Sequence, residues 1–459
     1  MRSTVRPSWH VILTAALLVA LVAAPLVAAP LAAAPLVAPA QAADQSLVFE
    51  ALQVLQTHYV DPVNAPKVLN AAVAGLREQL SAAGIPADLP DMPSSFLTES
   101  DARQIFLERF ATAAAAASGQ LTKTQLAYAA IRSMTDSFHD SHTGFLTPEQ
   151  NAERRQRQRG QAGFTGVGIV LLPKDNRFYV WTVIPGGPAE AAGVHEFDRI
   201  MKVNDLSTGG LAVDQVAGMI RGPAGTPVTV TFQRPGMADP LVVSMTRAPI
   251  LVPSIFRTDL LDGGVGYVRL YQFVEGTGRD VRSALTRLLA GGMRVLVLDL
   301  RGNSGGYLHE LDNVLNALLP FGVPVYTEML QGGQVEVVRT TRPPLLQPSI
   351  PVVLMVDEGS ASAAELLAAA IQENHRGVLV GAKTSGAVEA SVMIDLSDGS
   401  ALSVTTFRLA TGHGVRLEGA GVEPDVTTAM TVEDLEAGQD RQLTTAVRLA
   451  RQAVAEPVR

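Results

Sequence analysis

Cysteine is absent from all 459 residues. Its absence excludes a disulfide framework, a thiol nucleophile and any cysteine-based metal centre. It does not decide the compartment, because an exported protein can do without cysteine. Lysine runs out early: beyond Lys202 only Lys383 remains. There is no basic excess either. Lys and Arg number 36 against 44 Asp and Glu, a formal charge of -8, which argues against a nucleic-acid binder. At 47% apolar and 17% charged residues the chain is globular rather than disordered. Its length allows two or three domains with proper cores.

The first 42 residues have their own character. Arg2 and Arg6 precede a long apolar stretch that closes on Ala40-Gln41-Ala42. A basic start, an apolar centre and a small-residue end read as an export signal. Pro25, Pro30, Pro35 and Pro39 interrupt what would otherwise be a spanning helix, so an uncleaved anchor is the weaker alternative. The expectation is an exported chain, periplasmic or extracellular. Weak or transient membrane association and a homo-oligomer are both compatible with it.

Periodicity divides the rest into segments of different kinds, a multidomain α+β and α/β chain. Residues 43–160 read as a helical region broken near Asp61-Pro62. Residues 161–248 carry short alternating strands and glycine turns, a small and mostly β module. Residues 249–430 alternate strands and helices. MRVLVLDL and PVVLMVD are continuous apolar runs of the kind buried in a parallel sheet. Residues 431–459 read as one closing helix.

Within the α/β part, DEGSASAAELLAAA (357–370) sets Ser360 and Ser362 before an alanine-rich helix. Helix-start grammar alone would make them caps. A serine nucleophile would need a base within hydrogen-bond reach. Ser360 is the expected cap. Ser362 opens the helix, where free N–H groups and the dipole favour developing negative charge. DLRGNSGGYL places Gly305 and Gly306 directly after a buried strand, where glycine lets backbone approach a ligand closely.

Taken in order, YVDP (59–62), FTGVGIVLL with VIPGGPAEAAGVHEFDRIMKVND, DLRGNSGG, GSASAAELLAAAIQENHRGVLVG and the region from LSDGS to EPDV resemble the C-terminal processing (tail-specific) peptidases of family S41. The resemblance covers roughly residues 47–430. It implies that 161–248 is an embedded PDZ-like domain and that 249–430 is a peptidase core with a crotonase-like sheet. It places the attacking hydroxyl on Ser362 and the oxyanion hole on Ala363 with Gly305 or Gly306. In the PDZ-like part, FTGVGI resembles the loop that takes a peptide's terminal carboxylate, with Phe164, Gly166, Val167, Gly168 and Ile169 as binding residues. The implied activity is that of a serine endopeptidase acting on unfolded or C-terminally exposed regions of exported proteins, with no metal or cofactor.

One feature departs from the usual pattern. The base in most such peptidases is a lysine, and the matching position here is Ala387, with Ser391 where a glutamine is usual. Lys383 lies four residues too early. The tricorn-like members of the family instead use a histidine, assisted by a serine before it and a glutamate further on. Ser141-His142 and Glu418 stand at those places. A neutral imidazole can take the hydroxyl proton, and a carboxylate can orient it. His139 is the competing imidazole, and His309 lies near the glycine turn. The alternative reading is a homologue that has lost catalysis and serves as a peptide-binding or chaperone-like scaffold.

Overall fold

The computed structural model describes residues 44–93, 98–140, 142–158 and 165–455. The expected signal segment, Ser141 and Phe164 lie outside them.

Four helices open the described chain: Gln45–His58, Ala65–Ala82, Glu99–Ala116 and Lys123–Asp136. Their starts follow the sequence. Asp44 and Asn64 cap the first two, while Thr98 with Asp101 and Thr122 with Gln125 form reciprocal capping boxes. The break expected near Asp61 is present. A second break, at 117–122, separates the last two helices, where the alanine-rich sequence reads as nearly continuous helix. Gly119 turns there with φ +84°, and Thr122 restarts the helix. The helices bury Leu52, Leu69, Leu76, Phe106 and Ile131 against one another. Gly75 brings two of them together: a Cβ there would meet the Ala129 carbonyl at 2.5 Å. This region is not wholly helical, because Gly144–Leu146 is a strand that pairs with Ala401–Ser403.

The β module is built on a six-stranded antiparallel sheet: five strands run in the order 169–174, 177–183, 199–203, 227–233, 241–246, and Leu206–Ser207 pairs with 199–203. Alternation in PVTVTFQ turns Val228, Val230 and Phe232 inward. The strand Ile169–Lys174 lies at the sheet edge, and the short helix Val213–Ile220 packs beside it.

The α/β part is built on a six-stranded sheet. Val265–Leu270, Val295–Asp299, Val352–Val356, Gly377–Gly381 and Val426–Thr427 run parallel, and Ile255–Leu261 lies antiparallel at the edge. Both faces are covered, which is why VLVL (295–298) and VVLMV are apolar without interruption. Leu296, Leu298 and Leu354 face a core that includes the helices Thr277–Ala290, Leu308–Leu318 and Ala363–Glu373. Val295, Val297 and Met355 face Ala446 and Ala450 of the closing helix. Each fully buried valine or leucine contributes about 1.5–3 kcal/mol. The single helix expected from Thr431 is in fact two, Val432–Glu436 and Arg441–Ala455, with Gly438 at φ +66° between them. A second, antiparallel sheet centres on the long strand Ala401–Thr411 and includes Gly144–Leu146.

Candidate active site

Parallel pairing of Val295–Asp299 with Val352–Val356, in the register Leu296↔Val352 to Asp299↔Met355, brings the loops after both strands to the same sheet end. Ligands in such sheets bind beyond the carboxyl ends of the strands. The two loops are stitched together. Leu300 N–H donates to the Met355 carbonyl (2.9 Å), Gly302 N–H to Asp357 Oδ1 (2.8 Å) and Ala361 N–H to the Asn303 carbonyl (2.9 Å). Ser360, expected to cap the helix, is fully buried and serves this stitching instead. Its hydroxyl donates to the Leu300 carbonyl (2.8 Å) and accepts from Asp357 N–H (3.0 Å).

Ser362 is the helix N-cap residue, with φ +55° and ψ -120°. For a residue with a side chain this is a sparsely populated conformation costing about 1–3 kcal/mol. Its side chain makes no cap hydrogen bond, and Glu365 N–H goes to the Ser362 carbonyl instead (2.9 Å). A buried carboxylate holds the strained turn. Glu365 Oε2 accepts from the N–H groups of Ser362 (3.0 Å) and Ala387 (2.9 Å), while Oε1 accepts from Thr384 Oγ1 and from Gly386 N–H (2.7 Å).

The glycine turn lies against this serine. A Cβ on Gly305, whose φ is +89°, would sit 2.7 Å from Ser362 Cβ and 2.9 Å from Ala363 N. The two glycines differ in one respect. Gly305 N–H is taken by Asn303 Oδ1 (2.8 Å), and its carbonyl accepts from Phe273 N–H (2.9 Å). The N–H groups of Gly306 and Ala363 have no hydrogen-bond acceptor among the described residues.

His142 approaches from the helical region, close enough to Glu365 and Glu418 to feel their charge. Gly144↔Ser403 pairing anchors the strand just after it. Asp140 Oδ1 accepts the N–H groups of His142 (3.0 Å) and Thr143 (2.6 Å) and the Thr405 hydroxyl (3.1 Å). Its Oδ2 accepts from Tyr59 (2.9 Å) and Thr143 Oγ1 (2.9 Å). Burial pushes the Asp140 pKa up, but these hydrogen bonds outweigh it and hold it below the usual carboxylate value. The half-buried imidazole of His142 has its pKa lowered by desolvation, against the opposing pull of Glu418, Asp140 and Glu365. Glu418 is itself positioned, its Oε2 accepting from Val388 N–H (2.7 Å) and Glu389 N–H (3.2 Å).

The structure thus brings Gly305 against Ser362 and Ala363, and His142 within electrostatic range of Glu418 and of Glu365, the carboxylate that holds the Ser362 turn. Lys383 does not join them: it is half-exposed and pairs with exposed Glu423 at 2.8 Å. His139 is exposed. Asp140 and Glu365 were not singled out from sequence. Each had a signal: Glu365 follows Ser362 at capping-box spacing, and Asp140 precedes His142 by two residues, as an Asx turn requires. Among the described residues, Glu275, His309 and Glu310 could offer three metal-ligand atoms within 4.8 Å of one another. Both carboxylate oxygens of Glu310, however, already accept backbone N–H from Gly276 and Gly278.

In the β module a cavity of about 210 Å³ lies beside the edge strand, lined by Val167, Gly168, Ile169, Ile184, Ala217 and Ile220 among others. Gly166 does not line it and pairs instead with Ala248.

A strained helix-opening serine, a glycine turn beside it whose Gly306 N–H has no acceptor among the described residues, and a half-buried imidazole in the field of carboxylates are the parts a serine hydrolase uses. Comparison with known proteins agrees. Residues 264–428 match Peptidase family S41 and residues 151–233 match the PDZ domain. The carboxyl-terminal-processing protease of Synechocystis sp. is 33% identical over 301 residues, 65% of this chain and 70% of the relative. The carboxy-terminal-processing protease of Bartonella bacilliformis is 31% identical over 307 residues, 66% and 69% respectively. A solved structure named photosystem II D1 C-terminal processing protease superposes with a TM-score of 0.55 at 26% identity, covering 90% of this chain and 97% of that one. The chain belongs to peptidase family S41, whose members are serine-type peptidases.

Proposed function

We propose that this enzyme is an exported endopeptidase that cleaves unfolded or C-terminally exposed protein segments, with Ser362 as nucleophile and His142 as base. The observation that carries the reading is the Ser362 turn. Its backbone is strained, its hydroxyl is not used as a cap, and it abuts the glycine turn. The Ser362 hydroxyl passes its proton to a ring nitrogen of His142 as Oγ attacks the scissile carbonyl. The N–H groups of Gly306 and Ala363 receive the oxyanion; Gly305, whose N–H is engaged, shapes the turn. His142 then returns the proton to the leaving amine, and water releases the acyl group from Ser362. Glu418 steadies the imidazolium, directly or through Ser141. Such a site needs no cofactor.

The relatives' names support a substrate class of protein C-termini. The edge strand Ile169–Lys174 would take an extended tail by strand addition, with Val167, Gly168 and Ile169 beside its apolar last residue and Phe164 in the carboxylate loop. Export rests on residues 1–42. Among the described residues no helix is long and apolar enough to cross a membrane. The test is cleavage of one unfolded protein and one quenched-fluorescence peptide by single variants. Ser362→Ala and His142→Ala are expected to fall to background, while Lys383→Ala stays within a few-fold of wild type. Full activity in His142→Ala would refute the histidine base, and loss in Lys383→Ala alone would restore a lysine.

A further inference from the structure

A second polar pocket, of about 420 Å³, lies where the β module meets the closing segment. Its lining includes Arg177, Tyr179, Arg199, Arg234 and Glu436, and it shares no lining residue with the cavity beside Ile169–Lys174. Two guanidiniums converge on one carboxylate oxygen: Glu436 Oε1 accepts from Arg177 Nη1 and from Arg199 Nη1 (3.3 Å). Arg234, by contrast, is tied through Nε and Nη2 to Asp198 (2.8 and 2.7 Å) and to the Gly193 carbonyl (2.6 Å).

The pocket also contains polar atoms without a partner. Tyr179 is completely buried, and its hydroxyl proton has no acceptor among the described residues; the Arg177 guanidinium, interacting with the phenol oxygen, pulls back the rise that burial gives its pKa. Arg199 Nε is likewise buried without an acceptor. Buried donors are seldom left unpaired, because each such group forgoes its hydration without compensation. An unpaired phenol proton beside two guanidiniums calls for an acceptor with more than one oxygen. Glu436, on the five-residue helix Val432–Glu436 and 45% exposed, supplies one oxygen to the arginines and none to Tyr179 or Arg199 Nε.

We propose that this pocket is an exosite for acidic segments of protein substrates. A substrate carboxylate takes the place of Glu436 between Arg177 and Arg199, and its second oxygen accepts from the Tyr179 hydroxyl. The same pocket is lined by Phe197, Pro235 and Met237, the last of them exposed, which suits a peptide carrying an apolar residue next to the acid better than a bare anion. That the peptide is a substrate rests on the proposed endopeptidase; the binding itself does not.

The experiment therefore reads binding alone, in the full chain carrying Ser362→Ala. The probe is a fluorescent peptide containing Glu beside Leu, amidated at its C-terminus so that it presents no terminal carboxylate to the edge-strand cavity. Affinity is expected to fall about tenfold in Arg199→Gln, the loss of a charge-assisted contact. It should weaken with salt. In Glu436→Gln, where the internal competitor is neutral, it is expected to rise about fivefold. A peptide with Gln for Glu should not bind. Equal affinity in the parent, Arg199→Gln and Glu436→Gln, or binding of the Gln peptide as tight as that of the Glu peptide, would overturn the proposal. So would saturable binding of inorganic phosphate at the arginines with no peptide binding, which would reassign the pocket to small anions. Because Glu436→Gln predicts a gain, misfolding of the arginine variant cannot produce the full expected pattern.

Discussion

Replacing Glu365 by glutamine isolates the group that holds Ser362, the proposed nucleophile, in place. The carboxylate is completely buried and accepts four hydrogen bonds, two on each oxygen: Thr384 Oγ1 and Gly386 N–H on one, Ser362 N–H and Ala387 N–H on the other. A glutamine amide offers one oxygen and one NH₂. Whichever way it turns, two donors lose their acceptor and at least one backbone N–H faces another donor. An unsatisfied buried donor costs about 1–3 kcal/mol, so the variant should lose about 2–6 kcal/mol of stability if the loop does not rearrange. Relaxation of the loop would spare stability by releasing the Ser362 turn, and activity would fall instead. The strain at Ser362, φ +55°, persists only while its surroundings impose it. The assay pairs thermal unfolding with kcat/KM on one quenched-fluorescence peptide. Either melting falls by several degrees or more, or kcat/KM drops at least about 100-fold, equivalent to about 2.7 kcal/mol. A variant with wild-type melting and wild-type turnover would refute the idea that this carboxylate organises the nucleophile.

The acid limb of kcat/KM should lie below the ordinary histidine value of about 6.5, because desolvation lowers the His142 pKa and imidazolium cannot accept the serine proton. Glu418 opposes that lowering, so Glu418→Gln should move the limb to still lower pH while reducing the rate; a limb above neutrality, or one unmoved in this variant, would contradict the assignment. The same lowered pKa means that the unfolded chain binds the proton more readily, so this residue's contribution makes stability rise with pH between the folded pKa and about 6.5. Comparing denaturant midpoints of wild type and His142→Gln across that window measures it. Gly305→Ala should abolish turnover with the fold retained by circular dichroism, since its Cβ would lie 2.7 Å from Ser362 Cβ and 2.8 Å from the Ala361 carbonyl. Measurable wild-type kcat in that variant would show that the turn is looser than its contacts imply.

The sequence by itself determined the elements and the chemistry of single segments. Uninterrupted apolar runs such as VLVL and VVLMV identify strands buried on both faces, and the glycine turn and Ser362 follow from local grammar at their ends. Ala387 in place of lysine, with His142 and Glu418 at their own stations, was also legible, because residue types do not depend on folding. Only the tertiary structure decided which atoms are left to react. Ser360 and Ser362 look equally like caps in sequence; burial against Leu300 commits the first, and a positive φ sets the second apart. Gly305 and Gly306 are indistinguishable until Asn303 engages one N–H and not the other. The break at 117–122 and the division of the last helix turn on Gly119 and Gly438 at positive φ, where local propensity gives no strong signal. Asp140 and Glu365 carried only local capping and turn signals, which do not reveal what each one holds in place. A carboxylate acquires its role from the donors that surround it, and those come from segments as distant in sequence as Tyr59 and Thr405, which only the packed chain brings together.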